Sequence, residues 1–370
     1  MRVVIPRVPG RGAGLGNELL PWAKAFLAGS ELNLPYFHPA FGLNSRRYYN
    51  DFGTSRFDWV WHRALRRVLP VVDFGEADYL TTGQIDFGDA IRTFAEGGGI
   101  PSGPFVLQVG GMWGGFLAIE RARQFVLGQL ANARGALNSA YRWRRRLPAG
   151  ALSVAIHVRL GDFAKVLASN EYQGAFNVSL PEDWYIAVCK AIRQEFGSRV
   201  QFMLFSDGAP KQLARLVRSI APMCADGPSN VCGDLLAMAE ADVLVCSVSS
   251  FSMWAAFLSR RPYLWFRPNL QSVDGLLSLW GHESSQMDPA SSPTIRHAKF
   301  VRDAQQAERG TAARGVPVGI DGKLPHTFLQ LVEQLYSIGR SETDLVRYGC
   351  VPETLVAKYR PAPGRPYHDV

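Results

Sequence analysis

The chain has 370 residues, 47% of them hydrophobic and 19% charged, and a formal net charge of +8. This length favours two domains of ordinary size, and this balance of residues excludes a mainly disordered chain. The positive charge favours an anionic partner, which leaves nucleic acid, an anionic membrane surface and a phosphate-bearing substrate as candidates.

The chain begins with a predicted strand, a glycine-rich turn and a helix. The strand covers residues 2–8, the turn is GRGAGLG, and the helix has the sequence NELLPWAKAFLAGSEL. Residues 30–100 are rich in aromatic residues and arginine and show no firm periodicity. Beyond them, FVLQVGGM predicts a buried strand, and residues 116–146 have the longest helical periodicity in the chain, which LPAG ends.

A second alternating series of strands and helices fills residues 151–266. Its strands are ALSVAIHVR, VQFMLFS, DVLVCSV and PYLWF, and its helices are EDWYIAVCKAIRQEF, APKQLARLVRSIA, DLLAMAEA and SFSMWAAFLSR. Strands that alternate with helices predict an α/β fold with a parallel sheet covered on both faces.

The breaks between these segments predict the domain boundaries. We expect an N-terminal domain over residues 1–147 and a second domain over residues 148–325. The second domain includes two loose stretches, SSQMDPASSPT and QAERGTAARGVP. Residues 326–370 are expected to add a helix that packs back across the molecule and a flexible proline-rich tail.

Three further features predict a cytoplasmic, bacterial protein. The five cysteines are odd in number and lack the CxxC spacing of a metal site, which is typical of free thiols in a reducing compartment. The apolar N-terminal stretch is too short for a signal peptide. No apolar run in the sequence approaches the ~20 residues that span a bilayer.

The residues that follow each predicted strand are candidates for a ligand site, because open parallel sheets bind ligands beyond the carboxyl ends of their strands. The segment AIHVRLGDF places His157, Arg159 and Asp162 at such an end. An arginine binds phosphate oxygens through a planar fork of donors and stays charged at any useful pH. The alternative is structural: Arg159 pairs with Asp162 to hold a loop, and a hydrogen-bonded histidine lies beside them.

Three other crossovers carry residues suited to phosphate. The glycines of the N-terminal turn let the backbone approach a ligand, and the helix after them begins with unpaired amides. Serines after DVLVCSV begin a helix, and FSDG ends another strand. Each crossover also has a simpler explanation, which is tight packing for the glycines and helix capping for the polar residues. The candidate residues are Gly14, Gly16, Asn17, Ser206, Asp207, Ser249, Ser250, Phe251 and Ser252.

In this order, the four segments resemble the glycosyltransferases that use GDP-fucose, the superfamily of alpha-1,2, alpha-1,6 and protein O-fucosyltransferases. GLGNE at 14–18 is similar to the GLGNQ turn of the alpha-1,2 enzymes. IHVRLGD at 156–162 is similar to their H-x-R-R-G-D segment, and FSDG at 205–208 to F-S-D-D. ADVLVCSVSSFSMWAAFL resembles the last segment that the family shares.

The resemblance implies a GT-B architecture, in which two Rossmann-like domains face a cleft and GDP-fucose lies mainly on the second domain. It implies an inverting transfer of L-fucose to a hydroxyl of a glycan, without a metal or other cofactor. Protein cations and dipoles would then stabilise the leaving GDP, a role for Arg159 supported by His157, Ser249 and Ser250.

Such a transfer needs a carboxylate base within hydrogen-bond reach of the acceptor hydroxyl. Glu171 ranks first because it lies where the alpha-1,6 enzymes carry an acidic residue; its alternative is an exposed loop acid. Asp162 ranks second, with orientation of Arg159 as its alternative. Glu18 ranks third, since an acid in the first turn of a helix also interacts favourably with the helix dipole.

Two departures from the family pattern keep other donors open. Leu160 stands where the family often has a second arginine, and Gly208 where it often has a second aspartate. The alternatives are therefore a transferase of the same fold that uses another nucleotide sugar, and a non-catalytic protein that binds GDP-sugars or glycans. A nucleic-acid binder is disfavoured, because no nucleic-acid module is recognisable and the basic residues are scattered.

The expected partners are a GDP-sugar donor and a glycan, glycolipid or lipid-linked oligosaccharide acceptor. The positive charge also suggests peripheral contact with the cytoplasmic face of an anionic membrane. Trp59, Trp61 and Trp113 are candidates to stack on sugar rings, with a place in the core as the alternative.

Overall fold

The structure, a computed structural model, covers the chain in two compact units. The described residues up to Ala136 form the first unit, and those from Leu137 onward form the second. The residues described are 1–7, 13–84, 86–111, 113, 115–116, 118–165, 172, 178–228, 230–259, 261–269, 271–273, 276–278, 315–337 and 350–352.

The first unit is built on a small parallel sheet. Its elements are β1 (Arg2–Arg7), α1 (Leu15–Leu32), α2 (Tyr49–Phe52), α3 (Asp58–Val68), β2 (Val71–Phe74), α4 (Glu76–Thr82), α5 (Phe87–Phe94), β3 (Phe105–Gly110) and α6 (Arg123–Asn132). Within the described part of this unit, the strands lie in the order β1-β3-β2, and both neighbouring pairs are parallel. Every residue of the central strand β3 is buried, as expected for a parallel strand covered on both faces.

The second unit has the larger sheet. Its elements begin with α7 (Ala136–Arg144), which crosses the boundary, and continue with β4 (Leu152–Val158), β5 (Ala164–Lys165), β6 (Val178–Ser179), α8 (Glu182–Phe196), β7 (Val200–Ser206), α9 (Pro210–Ile220), α10 (Val231–Glu240), β8 (Val243–Val245), α11 (Ser250–Leu258), β9 (Tyr263–Phe266), β10 (Gln271–Val273), β11 (Leu276–Ser278), β12 (Gly315–Val318), α12 (His326–Ser337) and β13 (Cys350–Pro352).

Strand order in the larger sheet places the candidate segments side by side. Among the described residues, five strands lie in the order β12-β9-β8-β4-β7, and all neighbouring pairs are parallel. Strand β4 therefore lies between β7 and β8. The carboxyl ends of these three strands meet at one edge of the sheet, which is where such folds bind ligands.

The predicted α/β class with parallel sheets is confirmed in both units. Helix α8 and strand β7 coincide with their predicted bounds, because each has a regular apolar period between clear breaks. Within the described residues, no helix is both long and apolar enough to cross a bilayer.

Two sequence predictions need correction, and one stretch that the sequence left open contains a strand. The long helix predicted over 116–146 is divided into α6 and α7, because Gly135 between them has φ of 72°, a left-handed conformation that breaks helices. Strand β2 lies in the stretch without firm periodicity. The loose stretch expected near 305–317 ends in strand β12, which pairs with β9 along one edge of the sheet.

Candidate functional site

The candidate site of the second unit lies where three crossovers meet at the carboxyl edge of the sheet. His157 is the penultimate residue of β4, and Arg159 directly follows that strand. Ser206 ends β7, and Ser249 caps helix α11 after β8. The structure thus brings together candidates that lie up to 95 residues apart in sequence.

His157 is buried and held by the serines of the β8–α11 crossover. Its Nδ1 lies 2.7 Å from Ser252 Oγ and 2.9 Å from Ser247 Oγ, while Ser249 Oγ is 3.5 Å away. The Ser247 amide donates to Ser252 Oγ at 2.9 Å, which leaves the Ser252 hydroxyl proton available for Nδ1. If Nδ1 accepts that proton, the neutral imidazole carries its own proton on Nε2.

The imidazole of His157 is neutral at pH 7. Burial, assisted by the nearby positive charge of Arg159 and opposed by Asp207, lowers its pKa to about 3. The sequence analysis gave His157 a supporting role in stabilising the leaving GDP. Because the imidazole is neutral, it does not supply a second positive charge for that role. Its contacts instead tie strand β4 to the start of helix α11.

Arg159 makes two ion pairs of different kinds. Its Nη1 lies 2.5 Å from Asp207 Oδ2, and its Nη2 lies 2.5 Å from Asp162 Oδ1. The Asp207 side chain is 30% exposed and that of Asp162 is 63% exposed. The guanidinium carbon is also 5.2 Å from the centroid of the Phe163 ring, a cation–π distance.

Asp207 organises the turn after β4. Its carboxylate accepts hydrogen bonds from the amides of Leu160 at 2.9 Å and Gly161 at 3.1 Å, in addition to its pair with Arg159. Burial raises the pKa of Asp207, but these two amides and the guanidinium outweigh burial, and the pKa is lowered overall. Asp207 is thus an ionised carboxylate that is already bound by three protein donors.

The start of helix α11 supplies the neutral part of this site. Ser249 caps the helix, with its Oγ accepting from the Ser252 amide at 3.3 Å, and Ser250 and Phe251 follow half-buried in the first turn. Phe251 packs against His157 with ring centroids 5.3 Å apart. Ser206 Oγ accepts from the Gly208 amide at 3.0 Å and so shapes the turn after β7. The capping role is therefore present, and the helix still presents its N-terminal end at the same sheet edge as Arg159.

Leu160 and Gly208, the two departures from the family pattern, lie against each other. A Cβ built on Gly208 would come within 2.5 Å of Leu160 Cδ1 and 3.2 Å of Ser206 Oγ. The leucine side chain therefore fills the space that a side chain at 208 would need. The sequence showed these as two independent differences, whereas the structure makes them one packing unit.

The N-terminal candidates lie in the first unit, at the start of α1. Gly14 caps the helix with extended backbone, and its carbonyl accepts from the Asn17 amide at 2.9 Å. A Cβ at Gly14 would meet no atom within 4 Å, so close packing of the described residues is not what requires glycine there. Gly16 is buried in the first turn of the helix.

The first unit also buries a carboxyl group that the sequence ranked low. Glu18 is buried, and its Oε1 accepts from Asn44 Nδ2 at 2.6 Å. Its Oε2 has no hydrogen-bond partner among the described atoms. Burial, opposed by Asn44 and assisted by the negative charge of Asp58, raises the pKa of Glu18 to about 7. Sequence reasoning missed this because Asn44 and Asp58 come from the stretch without firm periodicity.

Other sequence candidates have structural places. Trp113 is buried, with the ammonium of Lys24 3.2 Å from the centroid of its ring, so Trp113 belongs to the core. Among the described residues, no group of three or more His, Cys, Asp or Glu side chains is arranged to hold a metal. Glu171 lies outside the described residues.

Comparisons with known proteins gave similarity at the level of structure. No protein-family model matches the sequence, and no curated relative matches it. The fucosyltransferase NodZ from Bradyrhizobium is similar with 14% identity and a TM-score of 0.41, over 69% of this chain and 91% of NodZ. NodZ alpha-1,6-fucosyltransferase soaked with GDP-fucose gives 15% identity and a TM-score of 0.38, over 70% and 93%.

POFUT1 in complex with GDP-fucose is also similar, with 13% identity and a TM-score of 0.36, over 71% of this chain and 96% of POFUT1. These solved structures are of the enzyme class that the sequence segments resemble. TM-scores of 0.41 and lower are too small for the overlay itself to carry a functional assignment, which therefore depends on the residues of the site.

Proposed function

We propose that this protein is a glycosyltransferase that binds the diphosphate of a GDP-sugar at the carboxyl ends of β4, β7 and β8. The donor proposed is GDP-fucose, and the reaction is an inverting transfer of L-fucose to a hydroxyl of a glycan. The observation that supports it is the Arg159 guanidinium, which Asp207 holds at the sheet edge where helix α11 also begins. The segments around it resemble those of GDP-fucose-dependent enzymes in kind and in order.

The unequal partners of Arg159 suggest how the diphosphate enters. Asp207 is bound by two amides as well as by Nη1, so it stays in place and orients the guanidinium. Asp162 is largely exposed and pairs with Nη2 of the guanidinium. A phosphate oxygen replaces Asp162 at Nη2 in this proposal, since a charge-assisted pair with a phosphate is at least as strong as an exposed carboxylate pair.

The neutral groups complete the proposed donor site. The N-terminal amides of α11 and the hydroxyl of Ser250 face developing negative charge on GDP as the bond to the sugar breaks. His157 keeps Ser247 and Ser252 in position through Nδ1 and remains uncharged. In this scheme protein groups carry the leaving-group charge, so transfer is expected to persist in EDTA.

The base is proposed on chemical grounds. A carboxylate accepts the proton of the acceptor hydroxyl as that oxygen attacks the anomeric carbon and GDP leaves. We retain Glu171 as the first candidate and Asp162, which the incoming phosphate would release from Arg159, as the second. Comparison of Glu171→Gln with Asp162→Asn separates them: the variant of the true base loses transfer while its affinity for GDP stays within about twofold.

The central experiment is incubation with GDP-fucose and a glycan panel, with products identified by mass. Arg159→Ala is expected to lower transfer by about 10²–10³-fold, the usual cost of removing one donor that stabilises a developing anion. Arg159→Lys is the matched control that keeps the charge without the fork, and it should lie between wild type and alanine. Donor hydrolysis and transfer at wild-type rates in Arg159→Ala would refute the assignment.

The contact between Leu160 and Gly208 favours a second candidate, a transferase of another nucleotide sugar. The pair replaces two charged groups of the family pattern with an apolar contact, which alters the donor site next to Arg159. A competition between GDP-fucose, GDP-mannose and UDP-glucose, read as product mass, distinguishes the donors. Transfer from a donor other than GDP-fucose would leave the proposed role of Arg159 unchanged and would show that the transferred sugar is not fucose.

A further inference from the structure

Helix α3 of the first unit has an apolar stripe on its solvent side. Phe57, Trp61, Ala64 and Val68 recur at i, i+4, i+7 and i+11, the spacing of one helix face. The exposed fractions are 62% for Phe57, 68% for Trp61 and 79% for Val68. Contiguous exposed apolar side chains on a soluble protein are typical of interaction surfaces.

A different side of α3 already supplies the core contact of the helix. Asp58 and His62 are buried there, and Leu65 packs against a core cluster that includes Val3 and Ile5. The exposed stripe is therefore not needed to attach α3 to its own unit. Packing within the first unit therefore does not explain why this stripe is apolar.

The same surface is strongly basic. Arg56, Arg63, Arg66 and Arg67 are all exposed. The one acidic residue between positions 56 and 68 is Asp58, which points inward and accepts from the Gly42 amide at 3.0 Å. No carboxylate within this segment therefore offsets the positive charge.

The densest run of arginines in the sequence is less available. In that run, Arg142 and Arg146 both lie within 4 Å of Asp226, and Arg146 also donates to the Cys224 carbonyl at 2.7 Å. The protein thus neutralises part of this run internally. On α3, Arg63 and Arg67 are exposed near two strongly exposed aromatic residues, Phe57 and Trp61, whereas one exposed aromatic residue, Tyr141, lies on α7 with Arg144.

We propose that the α3 surface, made of Phe57, Val60, Trp61, Arg63, Arg67 and Val68, binds an anionic phospholipid bilayer with α3 parallel to the membrane plane. Amphipathic helices with aromatic residues on one face and arginine on the other lie in the bilayer interface, at the boundary between headgroups and acyl chains. Tryptophan rings prefer the headgroup level, and arginines beside them pair with anionic headgroups. The inference rests on the surface of α3 and not on the proposed transferase activity.

The test is flotation of the full chain with vesicles of phosphatidylcholine, or of phosphatidylcholine with 30% phosphatidylglycerol (about 7:3, a composition that makes the surface anionic). Wild type is expected to float with the anionic vesicles and not with the neutral ones, and to be released by salt. Arg63→Gln/Arg67→Gln should lower the partition coefficient by roughly 25-fold, since each arginine near the surface contributes about fivefold. Phe57→Gln/Trp61→Gln should also lower it, with the net charge unchanged.

Arg144→Gln/Arg145→Gln is the matched control, because it removes the same charge from exposed positions of the second unit. This control should float as wild type does, and all variants should unfold at the wild-type temperature. Equal losses in both double-arginine variants would show binding by overall charge and overturn the proposal. So would failure of wild type to float, or tight binding to duplex DNA that Arg63→Gln/Arg67→Gln abolishes while vesicles are not bound.

Discussion

Two carboxylates pair with Arg159, and substitution of each by its amide should have different effects. Asp207→Asn removes the negative charge and leaves one carbonyl oxygen for two amide donors, Leu160 and Gly161. Asp162→Asn removes the charge of a carboxylate that is 63% exposed. Both variants change one ion pair of the same guanidinium, so each serves as the control for the other.

The structure sets the sizes of these effects. In Asp207→Asn one backbone amide faces an NH₂ group and loses its acceptor, which costs about 1–2 kcal/mol at a partly exposed position. The lost orientation of Arg159 should weaken GDP binding about tenfold, or about 1.4 kcal/mol. For Asp162→Asn, the stability change should stay within about 0.5 kcal/mol, as for other exposed pairs. Its affinity for GDP should be unchanged or higher, because a phosphate no longer competes with a carboxylate at Nη2.

Isothermal titration with GDP measures the affinities, and urea unfolding measures the stabilities. Both are done at low and at 0.5 M salt, because an effect through exposed charge is screened whereas the loss of an amide acceptor is not. Equal weakening of GDP binding by the two substitutions would refute the distinct roles of Asp207 and Asp162. GDP binding by Asp207→Asn at wild-type strength would show that the turn after β4 does not depend on this carboxylate.

The remaining predictions concern buried titrating groups and packing. The pKa of His157 is lowered in the folded state, so the unfolded state binds more protons below pH 6.5 and stability should fall by about 1.4 kcal/mol per pH unit there. His157→Gln should remove this contribution in urea unfolding at pH 5.0 and 7.5. The pKa of Glu18 is raised to about 7, so its contribution to stability should fall as pH rises from 4.5 to 7. Glu18→Gln should therefore gain about 3 kcal/mol over wild type between pH 4.5 and pH 8. Gly208→Ala should destabilise by about 1–3 kcal/mol through overpacking against Leu160, and Leu160→Ala/Gly208→Ala should recover much of the loss.

For each of these predictions, one experimental outcome would contradict it. The same acid slope in wild type and His157→Gln would mean that the imidazole is not held neutral in the fold. A constant difference between wild type and Glu18→Gln from pH 4.5 to 8 would show that Glu18 does not titrate abnormally. Additive losses in the double variant would show that Leu160 and Gly208 do not share one space.

Local elements of this protein are readable from the sequence, because hydrophobic period and chain breaks are properties of neighbouring residues. Helix α8 and strand β7 follow such signals, and so does strand β4, whose apolar run ends at the candidate site. The order of the motifs likewise predicts a GDP-sugar as the class of ligand, and this stays a prediction. The same rules failed where a glycine with positive φ interrupts a helical period, as Gly135 does between α6 and α7.

Contacts between distant segments were decided by the tertiary structure alone. Strand order places β4 between β7 and β8, and this brings Asp207 to the amides after Arg159 and three serines to His157. It also set the environments that move the pKa of His157 down and that of Glu18 up, since burial depends on what packs against a side chain. The sequence by itself determined which segments carry charge and hydrogen-bonding groups; folding decided which of those groups already have protein partners and which, like the α3 surface, face outward.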